Sequence, residues 1–317
     1  MRLLTLCLLL AATPLGAEIT LEIKDASLRV EIAGELFTEY RSDRKVPCLY
    51  PLISPSGGGL TRNYPLTEAG EDEQPDHPHH ISMWMTHGLV NGVDFWAQHL
   101  KRKGTIVHKS FGPSTSSATS TGRLTESASF SVNLSWEEGD TVHLTEVRTY
   151  TITASGKTRT IDVTSILSAP NADAVFGDTK EGSFALRLAP SLRLKGKAAK
   201  GAILNSNGET NNDCWGKRAA WVAYSGPDYS GKPAVVAVFD HPSNLRHPTW
   251  WHARDYGLVA ANPFGQHDFE RKKDKHLGDH TLKKGESLTF RHRVLLHHGT
   301  TDSAGLENAM KSFSKSK

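Results

Sequence analysis

Cysteine is scarce: the 317 residues contain three, at positions 7, 48 and 214. So few thiols exclude a disulfide-built scaffold and the paired Cys spacings of a structural zinc site. Long apolar runs are missing after the first dozen residues, and no segment approaches the roughly 20 apolar residues that a spanning helix needs. Charge of one sign is not in excess either, with 37 Lys and Arg against 34 Asp and Glu and a formal net charge of +3. No Lys/Arg run is long enough to track a phosphate backbone, so nucleic acid is not an expected partner. Helical spacing is nearly absent, and no internal repeat is evident.

What is present is a globular composition, 38% hydrophobic and 22% charged, with 16 His and 7 Trp. Imidazoles suit proton transfer near neutral pH and metal ligation, so their placement matters. Five lie between His77 and His99, nine between His241 and His298, and only His108 and His143 elsewhere.

The one apolar run follows Arg2 and spans residues 3–12; Pro14 and Leu15-Gly16-Ala17 come next. That pattern predicts a secretory signal peptide over residues 1–17, cut after Ala17, and an exported chain in the periplasm or outside the cell. Cys7 leaves with it. Cys48 and Cys214 then either form one disulfide or stay as thiols, because spacing alone does not place their Cα atoms within about 7 Å.

From Glu18 onward the pattern has period two. Leu28, Val30 and Ile32 alternate with Arg29 and Glu31, and Phe130, Val132 and Leu134 alternate with polar neighbours. Further strand-like runs cover residues 141–153, 159–167, 184–188, 220–224, 234–239, 257–262 and 287–298. In the last, Leu288, Phe290, His292, Val294 and Leu296 share one face. Residues 114–121, almost all Ser and Thr, read as a solvated loop. Helical spacing occurs only over residues 305–314, with Asp302 or Ser303 as N-cap. These signs predict an all-β fold: one domain over residues 18–317, about a dozen strands close to 20 Å long, and a large antiparallel two-sheet β-sandwich with one C-terminal helix outside a sheet.

Three segments carry the chemistry. The first is Asp76-His77-Pro78-His79-His80, followed by Trp84, His87, Asn91, Asp94 and Trp96. His77 and His79 with Asp76 or Asp94 offer a metal set, His80 a general acid, and the Trp and His a sugar site. Pro78 and the lack of a metal-site spacing count against the metal, so no cofactor is expected and Asp76, His77 and His79 remain the alternative. The second segment is Gly177-Asp178-Thr179-Lys180-Glu181-Gly182, where Asp178 or Glu181 can act as base and Lys180 can tune it. The third holds Asp240, His241, Asn244, His247, Trp250, Trp251 and Asn262 near strand ends, where a pocket rim forms. If Trp250 and Trp251 lie on a strand, one faces the core and the other is free for a ligand. Residues 266–280 read as a solvated basic loop.

Taken in order, Asp76-His77-Pro78-His79-His80, Asn91-Gly92-Val93-Asp94-Phe95-Trp96, the Gly177 to Gly182 run, Asp240-His241-Pro242-Ser243-Asn244 and Asn262-Pro263-Phe264-Gly265 resemble a bacterial family of unknown function, DUF6807. Its members are often labelled methane oxygenase PmoA. Methane oxidation by a membrane subunit needs a bundle of spanning helices, which this chain lacks the apolar segments to build. More weakly, residues 80–96 are similar to the galactose mutarotase-like supersandwich. That resemblance implies His80 or His79 as acid and Glu181 as base on a saccharide. The expected catalytic set is thus His79, His80, Asp178, Lys180 and Glu181, with Trp84, Trp96 and Trp250 as stacking platforms. His77, His87, Asn91, Asp94, Asp240, His241, Asn244, His247 and Asn262 are expected to bind a small-molecule or oligosaccharide ligand.

Overall fold

The computed structural model describes residues 18–97, 100–117 and 126–316. The signal-peptide segment, Cys7, His99 and residues 118–121 lie outside them. In chain order the strands are β1 (Ile19–Lys24), β2 (Ser27–Ile32), β3 (Glu35–Arg41), β4 (Cys48–Leu49), β5 (Met83–His87), β6 (Thr105–Ser117), β7 (Glu126–Glu138), β8 (Thr141–Ser155) and β9 (Thr158–Ser168). There follow β10 (Ala174–Phe176), β11 (Gly182–Arg187), β12 (Ala202–Asn205), β13 (Trp221–Pro227), β14 (Pro233–Asp240), β15 (Trp250–Trp251), β16 (Leu258–Asn262), β17 (His280–Leu282) and β18 (Ser287–His298). Among the described residues there are also two α-helices, α1 (Gln266–Phe269) and α2 (Leu306–Phe313), and two short 3-10 turns, Pro190–Leu192 and Asn211–Cys214.

Two eight-stranded sheets face each other. Sheet A runs β1-β2-β3-β4-β5-β11-β16-β15 and sheet B runs β12-β13-β14-β18-β9-β8-β7-β6; β10 and β17 form a separate pair. Every strand pairing within the sheets is antiparallel, so the chain is an all-β sandwich. Period-two burial explains the packing. Leu28, Val30 and Ile32 of β2 are buried while their neighbours are partly exposed, and Phe290, His292 and Val294 of β18 point into the same core. The ring of Phe184 in sheet A stacks on His292 in sheet B at 4.5 Å between centroids, which marks the inner face of each sheet.

Strands β6, β7, β8, β9 and β18 of sheet B are longer than the expected length of about 20 Å. β8 has 15 residues, roughly 50 Å at about 3.3 Å per residue. Ser114 to Ser117 belong to β6 rather than a loop, with Ser114 opposite Phe130 and Thr115 opposite Ser129. Small hydroxyl side chains suit the solvent side of a strand, which composition alone does not separate from a loop. Helix α2 lies where the spacing put it. Leu306 and Phe313 pack on Trp221, Phe239 and Leu295 on the outer face of sheet B. Its N-cap is Gly305, in left-handed geometry with φ 61°, not Asp302 or Ser303; the Ser303 hydroxyl instead serves the preceding turn at Thr300. Cys48 and Cys214 are both buried and unbonded to each other.

Candidate functional site

Side chains of β5, β11 and β16 alternate between the sandwich core and the opposite face of sheet A. Trp84 lies opposite Ala185, Ala185 opposite Ala260, and Ala260 exchanges both backbone hydrogen bonds with His252. Directly opposed residues share a face, so Trp84 and His252 stand on the outer face with two alanines between them. All four are buried, because loops cover this row.

The first covering loop leads into β5. Arg187 extends the outer-face series of β11, and its guanidinium meets that of Arg62; both donate to the same Asp76 Oδ1, at 2.9 and 2.5 Å. Both arginines have no solvent exposure. Burial raises the Asp76 carboxyl, but the two guanidiniums outweigh it and hold the group below its ordinary value. Arg62 also donates to the main-chain oxygens of His77 and His80, which fixes the turn between them. Rings then stack along the loop: Tyr256 on His77 at 5.4 Å, His77 on His80 at 4.9 Å, and His80 on Trp84 at 5.5 Å.

One contact decides the protonation of His80. Arg187 Nη1 lies 3.0 Å from His80 Nδ1, and a guanidinium only donates. Nδ1 is therefore the acceptor, so the proton sits on Nε2 and the ring is neutral. Burial, then the nearby His79 and Arg187, push its pKa well below the usual histidine value. His252 has the opposite tautomer. Its Nδ1 donates to the Lys180 carbonyl at 3.1 Å, leaving Nε2 as acceptor, and burial lowers its pKa to about 3.

The second covering loop leads into β11. Its path is set from beneath, where Asn262 Nδ2 donates to the Thr179 carbonyl and Asp268 accepts from the Lys180 N–H. His87 Nε2 donates to the Gly177 carbonyl at 2.8 Å, and a Cβ on Gly182 would fall 2.4 Å from His87 Nδ1, so only glycine lets the loop close on β5. Half-exposed Glu181 and Lys180 project from this loop, with Nζ and Oε1 3.3 Å apart.

A cavity of about 640 Å³ lies between these loops, and the two sequence segments meet there: His77, His79, His80 and Asp94 with Lys180 and Glu181. His252, Arg254, Tyr256 and Lys195 also line it; His252 and Tyr256 fall in the third sequence segment, but none of the four was assigned a role there. The signal for three of them was close by, in the His252 to Tyr256 stretch just after Trp251, but the paired Trp drew the assignment. A second cavity of about 420 Å³ adjoins the first at His79 and Ala97.

The remaining candidates are placed elsewhere. Asp178 is buried and accepts from the His267 and Gly278 N–H groups, so it ties residues 266–280 to the fold instead of acting as a base. That segment is therefore not a free loop, and Phe269 of α1 is buried within it. Asp240 accepts from Asn244 Nδ2, His247 Nδ1 and the Thr249 N–H, while Asn244 pairs with the backbone of Arg291; this closed network joins the end of β14 to β18. His241 Nδ1 bonds Ser243 and its ring meets Phe313 of α2. None of these four lines the cavity. His87 and Asn262 sit beneath the loops, and Asn91 holds the Val175 N–H and His143. Asp94 lines the cavity while accepting from the N–H groups of Trp96 and Ala97.

The stacking platforms also need correction. Trp84 lines neither cavity and backs His80, whereas Trp96, which also meets His80, contributes to the lining of the smaller cavity. Trp250 and Trp251 are both buried; Arg218 covers the Trp250 ring and Glu270 accepts from its indole N–H. The alternative metal set does not form, since Asp76 is shared by two arginines and His77 is stacked between rings. Among the described residues, no three His, Cys, Asp or Glu side chains are arranged to hold a metal ion.

Several histidines buried neutral give the fold a defined pH response. Burial moves His87 and His292 to about 4, below the unfolded value near 6.5, as it moves His252 to about 3. Below pH 6.5 the unfolded chain binds protons that the folded chain refuses. Stability is therefore complete above that pH and falls toward pH 4. Urea unfolding is expected to lose on the order of 2 kcal/mol per imidazole between pH 7 and pH 5. A flat profile over that range would contradict neutral burial.

The fold and its cavity together define a two-sheet antiparallel β-sandwich with a histidine-lined polar site on the outer face of one sheet. The chain belongs to the family described as Family of unknown function (DUF6807), which matches residues 27–311. Among solved structures it is similar to the GH36 alpha-galactosidase AgaB from Geobacillus stearothermophilus, at 9% identity over 89% of this chain and 41% of that one, with a TM-score of 0.44. The galactosidase domain of alpha-galactosidase-sucrose kinase, AgaSK, aligns at 8% identity over 89% and 41%, with a TM-score of 0.40. A galactose mutarotase related enzyme from Lactobacillus acidophilus aligns at 11% identity over 90% of this chain and 98% of that one, with a TM-score of 0.18. The chain spans about two fifths of the length of the first two structures. No curated protein matches it.

Proposed function

We propose that the chain is an exported carbohydrate-active enzyme, one domain over residues 18–317, that carries out acid/base chemistry on a saccharide in the outer-face cavity. The observation that carries this reading is convergence. His77, His79 and His80, Lys180 and Glu181, and His252, Arg254 and Tyr256, far apart in the chain, surround one space of about 640 Å³. A cavity of that size with a few convergent polar groups suits a small polar ligand.

Sugar hydroxyls both donate and accept, and the two neutral imidazoles answer both needs: Nε2–H of His80 donates, and Nε2 of His252 accepts. Glu181 is the proton-transfer group, with Lys180 beside it. His80 serves as a neutral hydrogen-bond donor to a polarised oxygen, since its Nδ1 is taken by Arg187 and a neutral imidazole is a poor acid. The N-terminal pattern of Arg2, the apolar run and Ala17 supports export.

A screen of glycans and keto-sugars with residues 18–317, followed by a ligand-soaked structure, tests the reading. Turnover with ligand seated between His80 and Glu181 supports it. Turnover retained in both His80→Ala and Glu181→Gln would remove the assigned roles, and affinity without product would leave a binding module.

A further inference from the structure

We infer that the saccharide taken by this cleft is anionic, an oligosaccharide carrying carboxylate or sulfate groups that reach from the Glu181 cavity into the adjoining one. This rests on the saccharide reading above and specifies its substrate class.

The charge around the two joined cavities is unbalanced. Arg44, Lys45, Lys103, Lys180, Lys195 and Arg254 line them, against Asp94 and Glu181. Both carboxylates are already engaged, Asp94 by backbone N–H groups and Glu181 by Lys180. The smaller cavity, with Arg44, Lys45 and Lys103, has no acidic side chain in its lining, and Arg44 is paired from outside with Asp43 at 3.5 Å. Lys195 is paired with Asp255 at 2.7 Å. Arg254 stands differently: its guanidinium lies over the Tyr256 ring at 5.2 Å, and no carboxylate comes within ion-pair distance of it among the described residues.

Charge behind the wall adds to this field. Arg62 and Arg187 are fully buried and share the single carboxylate of Asp76, while Arg193 is 5% exposed. Nε of all three, and Nη2 of Arg193, have no hydrogen-bond partner among the described residues. Burial, then repulsion from Arg62, lowers Arg187 to about 10. These three guanidiniums stand near two carboxylates, Asp76 and the buried Glu73, with Arg193 lining a separate cavity beside Glu71, Asp72 and Glu73. The positive charge left in excess is poorly screened beside Arg187, and the cavity in front of Tyr256, on which Arg187 lies, is where a counter-charge gains most. Two joined cavities of about 640 and 420 Å³ hold more than one sugar unit, so a repeating acidic glycan meets a cation in each: Arg254 in the first and Lys103 in the second.

The test is a binding series at low salt. Oligosaccharides of polygalacturonate, alginate and hyaluronan are each compared with the methyl-esterified form, and a sulfated carrageenan oligosaccharide with its desulfated form. At least one acidic member is expected to bind at least tenfold tighter than its neutral counterpart, with affinity falling as salt rises. Preference for the uronates or for the sulfated glycan identifies which anion the cleft takes. Arg254→Gln is expected to reduce the acidic-to-neutral ratio to within threefold of one. Lys103→Gln, at an exposed position, should reduce the ratio for a tetrasaccharide but not for a single uronate unit or sulfated monosaccharide. Equal binding of acidic and neutral forms overturns the inference and leaves the saccharide reading standing. A ratio unchanged in both variants removes the assigned cations. Absence of binding by every saccharide, charged or neutral, removes both.

Discussion

Glu181→Gln is expected to lower turnover on the saccharide substrate by about 10²- to 10⁴-fold, the range over which a positioned acid or base contributes. The amide keeps the shape of the side chain and loses the ability to exchange a proton. Little else should change. The Glu181 main-chain oxygen still accepts from the Gly88 N–H, and the lost contact to Lys180 is a half-exposed pair worth about 1 kcal/mol or less. Melting temperature therefore separates the chemical effect from a folding effect. Loss smaller than tenfold would take proton transfer away from Glu181. The pH-rate profile supplies the companion measurement: with His80 held neutral by Arg187, no limb near pH 6.5 should disappear in His80→Asn.

The largest effect on stability is expected from the centre of the sandwich. Arg148 of β8 is almost entirely buried and donates to both oxygens of Glu146, at 2.6 and 2.9 Å, and to the Met85 carbonyl of β5 at 3.2 Å. Trp136 and Ser165 complete the shell of Glu146. Arg148→Met removes one charge and leaves the other in the core, which costs about 3–5 kcal/mol. Urea unfolding measures it, and Glu146→Gln added to Arg148→Met should recover part of the loss. A change under 1 kcal/mol would mean that water or rearrangement relieves the carboxylate. Met85 neighbours Trp84, so this variant should also loosen the wall behind His80.

Strand content was legible because one buried face imposes period two on the sequence. Leu28, Val30 and Ile32, and the whole of β18, could be placed from that pattern alone. Length was less legible, since Ser and Thr fit both an exposed strand face and a loop, as Ser114 and Thr115 demonstrate. Clusters of polar residues identified half of the cavity: His77, His79, His80, Asp94, Lys180 and Glu181 meet there. The same rule failed at Asp240, His241, Asn244 and His247, because a polar group at a strand end either faces a ligand or satisfies its neighbours, and local sequence does not say which. Arg187 was hidden for a related reason. It ends an apolar strand, and its partner Asp76 lies 111 residues earlier. Two of the aromatic platforms, Trp84 and Trp250, failed because they are large enough to be needed as packing, while Trp96 does reach the smaller cavity.

Two guanidiniums fastened to Asp76 bear on how quickly a ligand is captured. Residues 62–80, which carry both Arg62 and Asp76, cannot lift from the sheet without stripping Arg187 of its carboxylate. One wall of the cavity is thus shaped before any encounter, and binding there needs no slow ordering of chain. Stopped-flow traces should rise in a single phase whose rate grows linearly with ligand, at about 10⁵–10⁷ M⁻¹ s⁻¹. Saccharides that differ in affinity would then differ chiefly in how long they stay.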